Sequence, residues 1–202
     1  MFVQVIEGHV ADPSQMHAAL DRWASELAPE ASGWLGSTAG VTDNGAFVLF
    51  ARFESEDAAL GNSDRVEQGQ WWSVASKLFT DEPAFHNSTD VDVDLQGDPD
   101  RAGFVQVIRG RTRDPARARE LMRDDSPQWA DFRPDIIGSL GVGHEEGRYT
   151  MVLYFTSETE AREGERKETP AELKPLMEEM ESLEVGEPEF LDLTDPWMYS
   201  PR

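Results

Sequence analysis

The heptapeptide Phe2-Val3-Gln4-Val5-Ile6-Glu7-Gly8 returns as Phe104-Val105-Gln106-Val107-Ile108-Arg109-Gly110, identical at six of seven positions and offset by 102 residues. In the same register Asp12-Pro13 matches Asp114-Pro115, Gly36-Ser37 matches Gly138-Ser139, Gly45 matches Gly147, and Phe53-Glu54-Ser55-Glu56 matches Phe155-Thr156-Ser157-Glu158. After a short insertion, Glu82-Pro83-Ala84-Phe85 and Thr89-Asp90 return as Glu187-Pro188-Glu189-Phe190 and Thr194-Asp195, now offset by 105. A register held this long requires two copies of one folding unit in tandem. The reading is residues 1–96 as the first repeat, 97–103 as a Gly-, Pro- and Asp-bearing linker, and 104–202 as the second repeat with its own tail. That tail holds Trp197 and Tyr199, which have no aromatic counterparts in the first copy, and is expected to pack back on the body.

Within one copy, Phe2 to Gly8 is a Val- and Ile-rich strand closed by glycine. Asp12 then caps a helix with Pro13 in its first position, where a missing N–H costs nothing. Met16, Leu20, Trp23 and Leu27 share one face of that helix. Its equivalent in copy two should break near Ser126, ahead of Pro127. Leu35–Thr42 and Phe47–Phe53 read as strands joined at Asp43-Asn44-Gly45, a hairpin in which Asn-Gly supplies positive φ. A helical region follows from Ser55, interrupted at Gly61-Asn62 and resumed over Asp64–Phe79, and Pro83–Val93 holds the last strand. The order is β-α-β-β-α-β, the ferredoxin-like arrangement, and the fold class is α+β. In Phe47-Val48-Leu49-Phe50-Ala51-Arg52-Phe53 both alternating sets are apolar, so both sheet faces need cover. Helices supply one cover, and closing the two repeats sheet against sheet would supply the other, in a monomeric pseudo-dimer; whether fused barrels pair further is left open.

These features resemble the dimeric α/β-barrel superfamily, and its antibiotic-biosynthesis-monooxygenase-like domain in particular. The resemblance covers nearly the whole chain twice and rests on element order, the Asp-Pro helix start, the Asn-Gly hairpin and the Phe-x-Ser-Glu exit from the third strand. It implies an intramolecular dimeric α/β barrel with a pocket for a small molecule. Cofactor-free oxygenases of this type bind an electron-rich aromatic substrate whose own carbanion reacts with oxygen. Haem-degrading relatives use an Asn on the first strand with a Trp and a His on the second helix; here Gln4 or Gln106 stands on that strand, and the second helix of copy one has Trp71 and Trp72 without a histidine.

The residues themselves narrow the chemistry further. Forty acidic against eighteen basic residues give a formal charge of −22, which repels phosphate backbones and anionic membranes and makes nucleic acid an unsuitable partner. There is no cysteine and no membrane-length apolar run, and the first strand starts at Phe2 without a signal-like segment, so the expected location is cytoplasmic. The four histidines show no metal-ligand spacing, and no phosphate loop or nucleophile elbow occurs, so neither cofactor nor metal is expected. What remains is polar or aromatic residues set among apolar ones: Gln4, Arg52, Asn62, Trp71, Trp72 and His86 are the candidate ligand-binding set. Gln4 and Gln106, and Arg52 and Tyr154, could equally serve only structure, because buried polar groups are routinely satisfied internally. The second helix of copy two reads as a plain core-facing stripe of Leu173, Leu176, Met177 and Met180, which assigns any site to copy one. The functional expectation is binding of a small aromatic or apolar molecule, with cofactor-free monooxygenase-like chemistry as its enzymatic form and no catalytic residue named. The alternatives are a non-catalytic barrel acting through protein assembly and, against the Asn and His departures, haem binding.

Overall fold

The computed structural model describes residues 1–94, 98–124 and 126–201. The repeat boundary read at residues 96 and 97 lies outside them. Copy one runs β1 (Phe2–His9), α1 (Pro13–Glu26), β2 (Trp34–Val41), β3 (Ala46–Phe53), α2 (Glu56–Ser63), α3 (Val66–Ala75), β4 (Ala84–Ser88) and β5 (Val91–Asp94). Copy two runs β6 (Phe104–Arg111), α4 (Pro115–Asp124), α5 (Ser126–Phe132), β7 (Ile136–Gly143), β8 (Arg148–Phe155), α6 (Glu158–Glu165), α7 (Lys174–Leu183), β9 (Glu189–Leu193) and β10 (Trp197–Tyr199). Among the described residues no helix is long and apolar enough to cross a membrane.

The strands form two five-stranded antiparallel sheets, ordered β10-β2-β3-β1-β4 and β5-β7-β8-β6-β9. Each repeat thus contributes a fifth strand beyond the four that its pattern predicts, and gives it to the sheet of the other repeat. Pro83–Val93, read as one last strand, holds two: β4 borders β1, while β5 joins the second sheet. Correspondingly the compact units are Met1–Val91 with Asp195–Arg202, and Asp92–Thr194.

Local chemistry explains most boundaries. The Asp12 carboxylate accepts from Ser14 N at 3.0 Å and Gln15 N at 3.2 Å, capping α1 in front of Pro13. Ser55 and Ser157 cap α2 and α6 in the same way. The hairpin turns at Gly45 with φ +86, and its counterpart passes through Glu146 and Gly147, both at positive φ. The repeated Gly36 and Gly138 mark matching irregularities, register shifts between Trp34 and Gly36 and between Ile136 and Gly138.

Two expectations need correction, and a third is met. Gly61-Asn62 does not interrupt the helix: α2 carries the buried Asn62 and continues to Ser63, and the break falls at Asp64-Arg65. The helix expected to break near Ser126 is divided there, α4 ending at Asp124 and α5 starting at Ser126. The stripe on α7 is not core-facing along its length: Leu173 is buried, Leu176 and Met180 are half-buried, and Met177 is exposed.

In the first unit α1 sets Met16, Leu20 and Trp23 on the sheet, where they join Phe2, Ile6, Leu49, Phe53, Trp34 and Trp71 in one core. Each such side chain contributes about 1.5–3 kcal/mol when fully buried. The alternate residues Val3, Val5, Val48 and Phe50 are also buried, as the doubly apolar strand pattern requires. In the second unit Phe104, Ile136, Phe155 and Ala161 form the corresponding cluster. Beside it Arg133 Nη2 meets Asp135 Oδ2 at 2.7 Å, both side chains nearly buried, and the guanidinium carbon lies 5.8 Å from the Phe155 ring centre.

Candidate functional site

A cavity of about 200 Å³ opens between sheet and helices of the first unit. Its sheet wall is Gln4 and Ile6 from β1, Ser37 from β2, Leu49, Ala51 and Phe53 from β3, and Phe85 from β4; these alternate residues all face the helices. Leu20 and Trp23 of α1, Asn62 and Ser63 of α2, and Gln68, Gly69, Trp71 and Trp72 of α3 form the helical wall, and Tyr199 of β10 completes the lining.

The two adjacent tryptophans divide their work. Trp71 is 9 % exposed, donates its indole N–H to Ala19 O at 3.0 Å and stands edge-on to Trp23. Trp72 is half-buried and leans on Phe79 and Phe85, with the Phe85 ring edge-on at 5.4 Å. Trp71 is therefore a core pillar with one face on the cavity, and Trp72 with Phe85 forms an aromatic corner at its mouth.

The polar lining is neutral, and its orientation is fixed by donors that cannot accept. Trp23 Nε1 donates to Gln68 Oε1 at 2.6 Å and Trp34 Nε1 to Ser37 Oγ at 3.0 Å. Arg65 Nη1 donates to Asn62 Oδ1 at 3.1 Å and to Leu27 O at 3.0 Å. Because an indole or guanidinium N–H only donates, each partner must offer it oxygen, which leaves Gln68 Nε2, Asn62 Nδ2 and the Ser37 hydroxyl proton for the cavity. Gln4 Nε2 is engaged by Asn87 Oδ1 at 3.3 Å, so Gln4 offers its oxygen. Tyr199 is the one titratable side chain of the lining: it donates to Asp21 Oδ1 at 2.9 Å, and burial first, then that carboxylate, hold the phenol far above its usual pKa.

Of the six candidate residues, Gln4, Asn62, Trp71 and Trp72 come together in this lining, and Arg52 and His86 do not. Arg52 alternates with the lining residues Ala51 and Phe53 and so takes the opposite face; its Nη2 lies 2.7 Å from where a Cβ on Gly36 would stand. His86 alternates with Phe85 in the same way, lying opposite Val5 with its Nε2 3.8 Å from Glu7 Oε2. Gln68, Ser63, Phe85 and Tyr199 were not among the candidates. Phe85 and Tyr199 carried a signal, being aromatics of a strand and of the unmatched tail; Gln68 and Ser63 carried none.

The second unit treats the equivalent ground differently. Gln106, the counterpart of Gln4, donates to Glu165 Oε1 at 3.2 Å and Asp192 Oδ1 at 3.1 Å. Arg162 ties Asp192, Glu165 and Glu158 together and sets its guanidinium carbon 5.1 Å from the centre of the Phe104 ring. The glutamine that faces a cavity in the first unit is here consumed by an ion-pair network. Among the described residues no group of three or more His, Asp or Glu is placed to hold a metal ion.

No family model matches the sequence, and no curated protein matches it. In three dimensions 98 % of the chain is similar to 95 % of a proposed monooxygenase from Lactobacillus acidophilus, with 10 % identity and a TM-score of 0.78. A proposed monooxygenase from Fusobacterium nucleatum matches over 98 % of this chain and 94 % of its own, with 9 % identity and a TM-score of 0.79. An anthrone oxidase-like protein matches over 98 % and 92 %, with 13 % identity and a TM-score of 0.67. The α+β fold, with its two five-stranded antiparallel sheets, is therefore similar over nearly the whole chain to those of two proposed monooxygenases and an anthrone oxidase-like protein. At these identities the likeness is one of fold.

Proposed function

We propose that the first unit binds a small, flat, largely apolar molecule carrying a carbonyl or phenolic oxygen, and that it acts on such molecules as a cofactor-independent, monooxygenase-like enzyme. The observation that carries the reading is the cavity's composition. Trp23, Trp71, Trp72 and Phe85 offer aromatic surface, while Gln68, Asn62 and Ser37 of the same lining keep neutral donors free of the indole and guanidinium bonds. Such a lining suits rings for contact and one oxygen for orientation. Arg65 polarises the Asn62 amide from behind without entering the lining, which strengthens the N–H donors opposite it. Donors of this kind favour an oxygen on which negative charge develops, as in an enolate or phenolate. The monooxygenases with similar folds support the enzymatic half of the reading.

The test is calorimetric titration of the protein with 2-naphthol and with 2-tetralone, two bicyclic molecules differing in the oxygen group. Saturable binding of either that is weakened in Trp72→Leu supports the reading. Absence of binding to both, or binding indifferent to Trp72→Leu, overturns it.

A further inference from the structure

The cavity has donors for an oxygen but no carboxylate, imidazole or amine in its lining to receive a proton. Tyr199 supplies the missing connection. Its ring belongs to the same core as Trp23 and Trp71, it lines the cavity beside Ser37, its ladder partner, and its hydroxyl donates to Asp21 Oδ1 at 2.9 Å. Asp21 sits on the outer side of α1 with its side chain 60 % exposed. One hydrogen bond therefore joins a cavity without a base to a carboxylate in solvent.

The strand that carries Tyr199 is pinned at this place. Trp197, two residues earlier and on the same face, stacks its indole on His17 at 4.4 Å between ring centres and 7° from parallel. His17 Nε2 stands 3.6 Å from the same Asp21 oxygen, one helical turn along α1. Two titratable groups, His17 and Tyr199, therefore face the solvent-exposed Asp21 carboxylate.

We propose that Tyr199 and Asp21 form a proton relay that removes an acidic C–H proton from a ketone bound in the cavity. The inference rests on the ligand reading above. In the step, the C–H bond beside the carbonyl breaks and its proton goes to Tyr199 Oη. The Tyr199 O–H bond breaks together with it, and that proton passes to Asp21 Oδ1. The electron pair left on carbon moves onto the carbonyl oxygen, facing Gln68 Nε2, Asn62 Nδ2 and Ser37. The products are a bound enolate and a neutral Asp21, which returns its proton to solvent. Charge and atoms balance without an oxidant. Because the phenol is so reluctant to ionise, the two transfers are coupled and no free tyrosinate is formed.

The experiment is deuterium uptake by 2-tetralone in D2O under nitrogen, read by mass spectrometry, with the dissociation constant measured on the same samples. The parent is expected to speed exchange of the protons beside the carbonyl. Tyr199→Phe and Asp21→Asn should each lose most of that acceleration, about 100-fold, while still binding the ketone. Asp21→Glu, which keeps a carboxylate, should recover part of it, a result that a purely structural role for Asp21 would not give. Far-UV circular dichroism of the variants should match the parent. Binding without accelerated exchange in the parent, or full acceleration in Tyr199→Phe, overturns the relay and leaves the ligand reading standing. Failure of the parent to bind overturns both.

Discussion

Gln68 Oε1 lies 2.6 Å from the indole nitrogen of Trp23, forty-five residues away on the neighbouring helix, and this bond decides which end of the Gln68 amide faces the cavity. Gln68→Glu keeps an oxygen for Trp23 but replaces the donor with an anion. The variant should unfold at nearly the parental temperature and lose affinity for 2-tetralone in calorimetry. Unchanged affinity would mean that the Gln68 amide does not meet the ligand. Gln68→Leu, lacking the acceptor as well, should also lose about 1 kcal/mol of stability.

Trp71 and Trp72 should separate stability from binding. Truncating the buried Trp71 to Leu leaves a void and frees the Ala19 carbonyl, so chemical denaturation should register a loss of about 2 kcal/mol or more. Trp72→Leu leaves the core intact and removes aromatic contact at the mouth. Its signature is a weakening of ligand binding by about 1 kcal/mol with a small shift in the denaturation midpoint. Equal effects of the two substitutions on binding and stability would contradict this division.

In the second unit, Arg133→Ala strands the Asp135 carboxylate, whose side chain is 8 % exposed and whose remaining cation is Lys167 Nζ at 4.0 Å. The expected loss is about 3 kcal/mol in urea denaturation. Arg133→Ala with Asp135→Ala together should cost less than the single substitution. If the double variant is the less stable of the two, the buried charge is not what makes the single change costly.

Asp12 provides a pH-dependent test. Hydrogen bonding from the Gln15 side chain, with help from the Gln15 and Ser14 backbones, holds its pKa below the ordinary carboxylate value. A depressed carboxylate stabilises the fold fully above its unfolded-state pKa of about 4, and that contribution fades as pH falls through the lower folded-state value. Asp12→Ala should therefore melt below the parent at pH 7, with the gap closing on acidification below about pH 4. A gap that stays constant down to pH 2 would show that the charge contributes nothing to the cap.

The tandem α+β organisation was legible because the offset of 102, the Asp-Pro starts and the hairpin glycine Gly45 are local signals that the structure uses, although Asn44 does not share the positive φ expected of an Asn-Gly turn. Four candidate residues met in one cavity because Gln4 lies on the helix-facing side of β1 and the helices that carry Asn62, Trp71 and Trp72 cover that side. Arg52 and His86 lie outside this lining because of parity. Placing them needed the pairings Gln4 with Ala51 and Ile6 with Phe85, and strand register depends on contacts far apart in sequence. The fifth strand of each sheet was illegible for a related reason. Val91–Asp94 alternates valine with aspartate like an ordinary edge strand, and nothing local says which sheet it borders. The donors of Gln68 could not be foreseen either, since an amide's orientation is set by an indole 45 residues away.

The placement of β10 in the first sheet has a consequence for how the protein is made. Its partner β2 leaves the ribosome more than 150 residues earlier, so during synthesis the first sheet waits with the Trp34–Val41 edge open. A loop of that length is slow to close, and the cavity lacks its Tyr199 wall until closure occurs. The first repeat to be translated is thus the last to be finished. A nascent chain stalled anywhere before Trp197 presents a site without its relay, so any activity of the first unit starts only after the second has been synthesised.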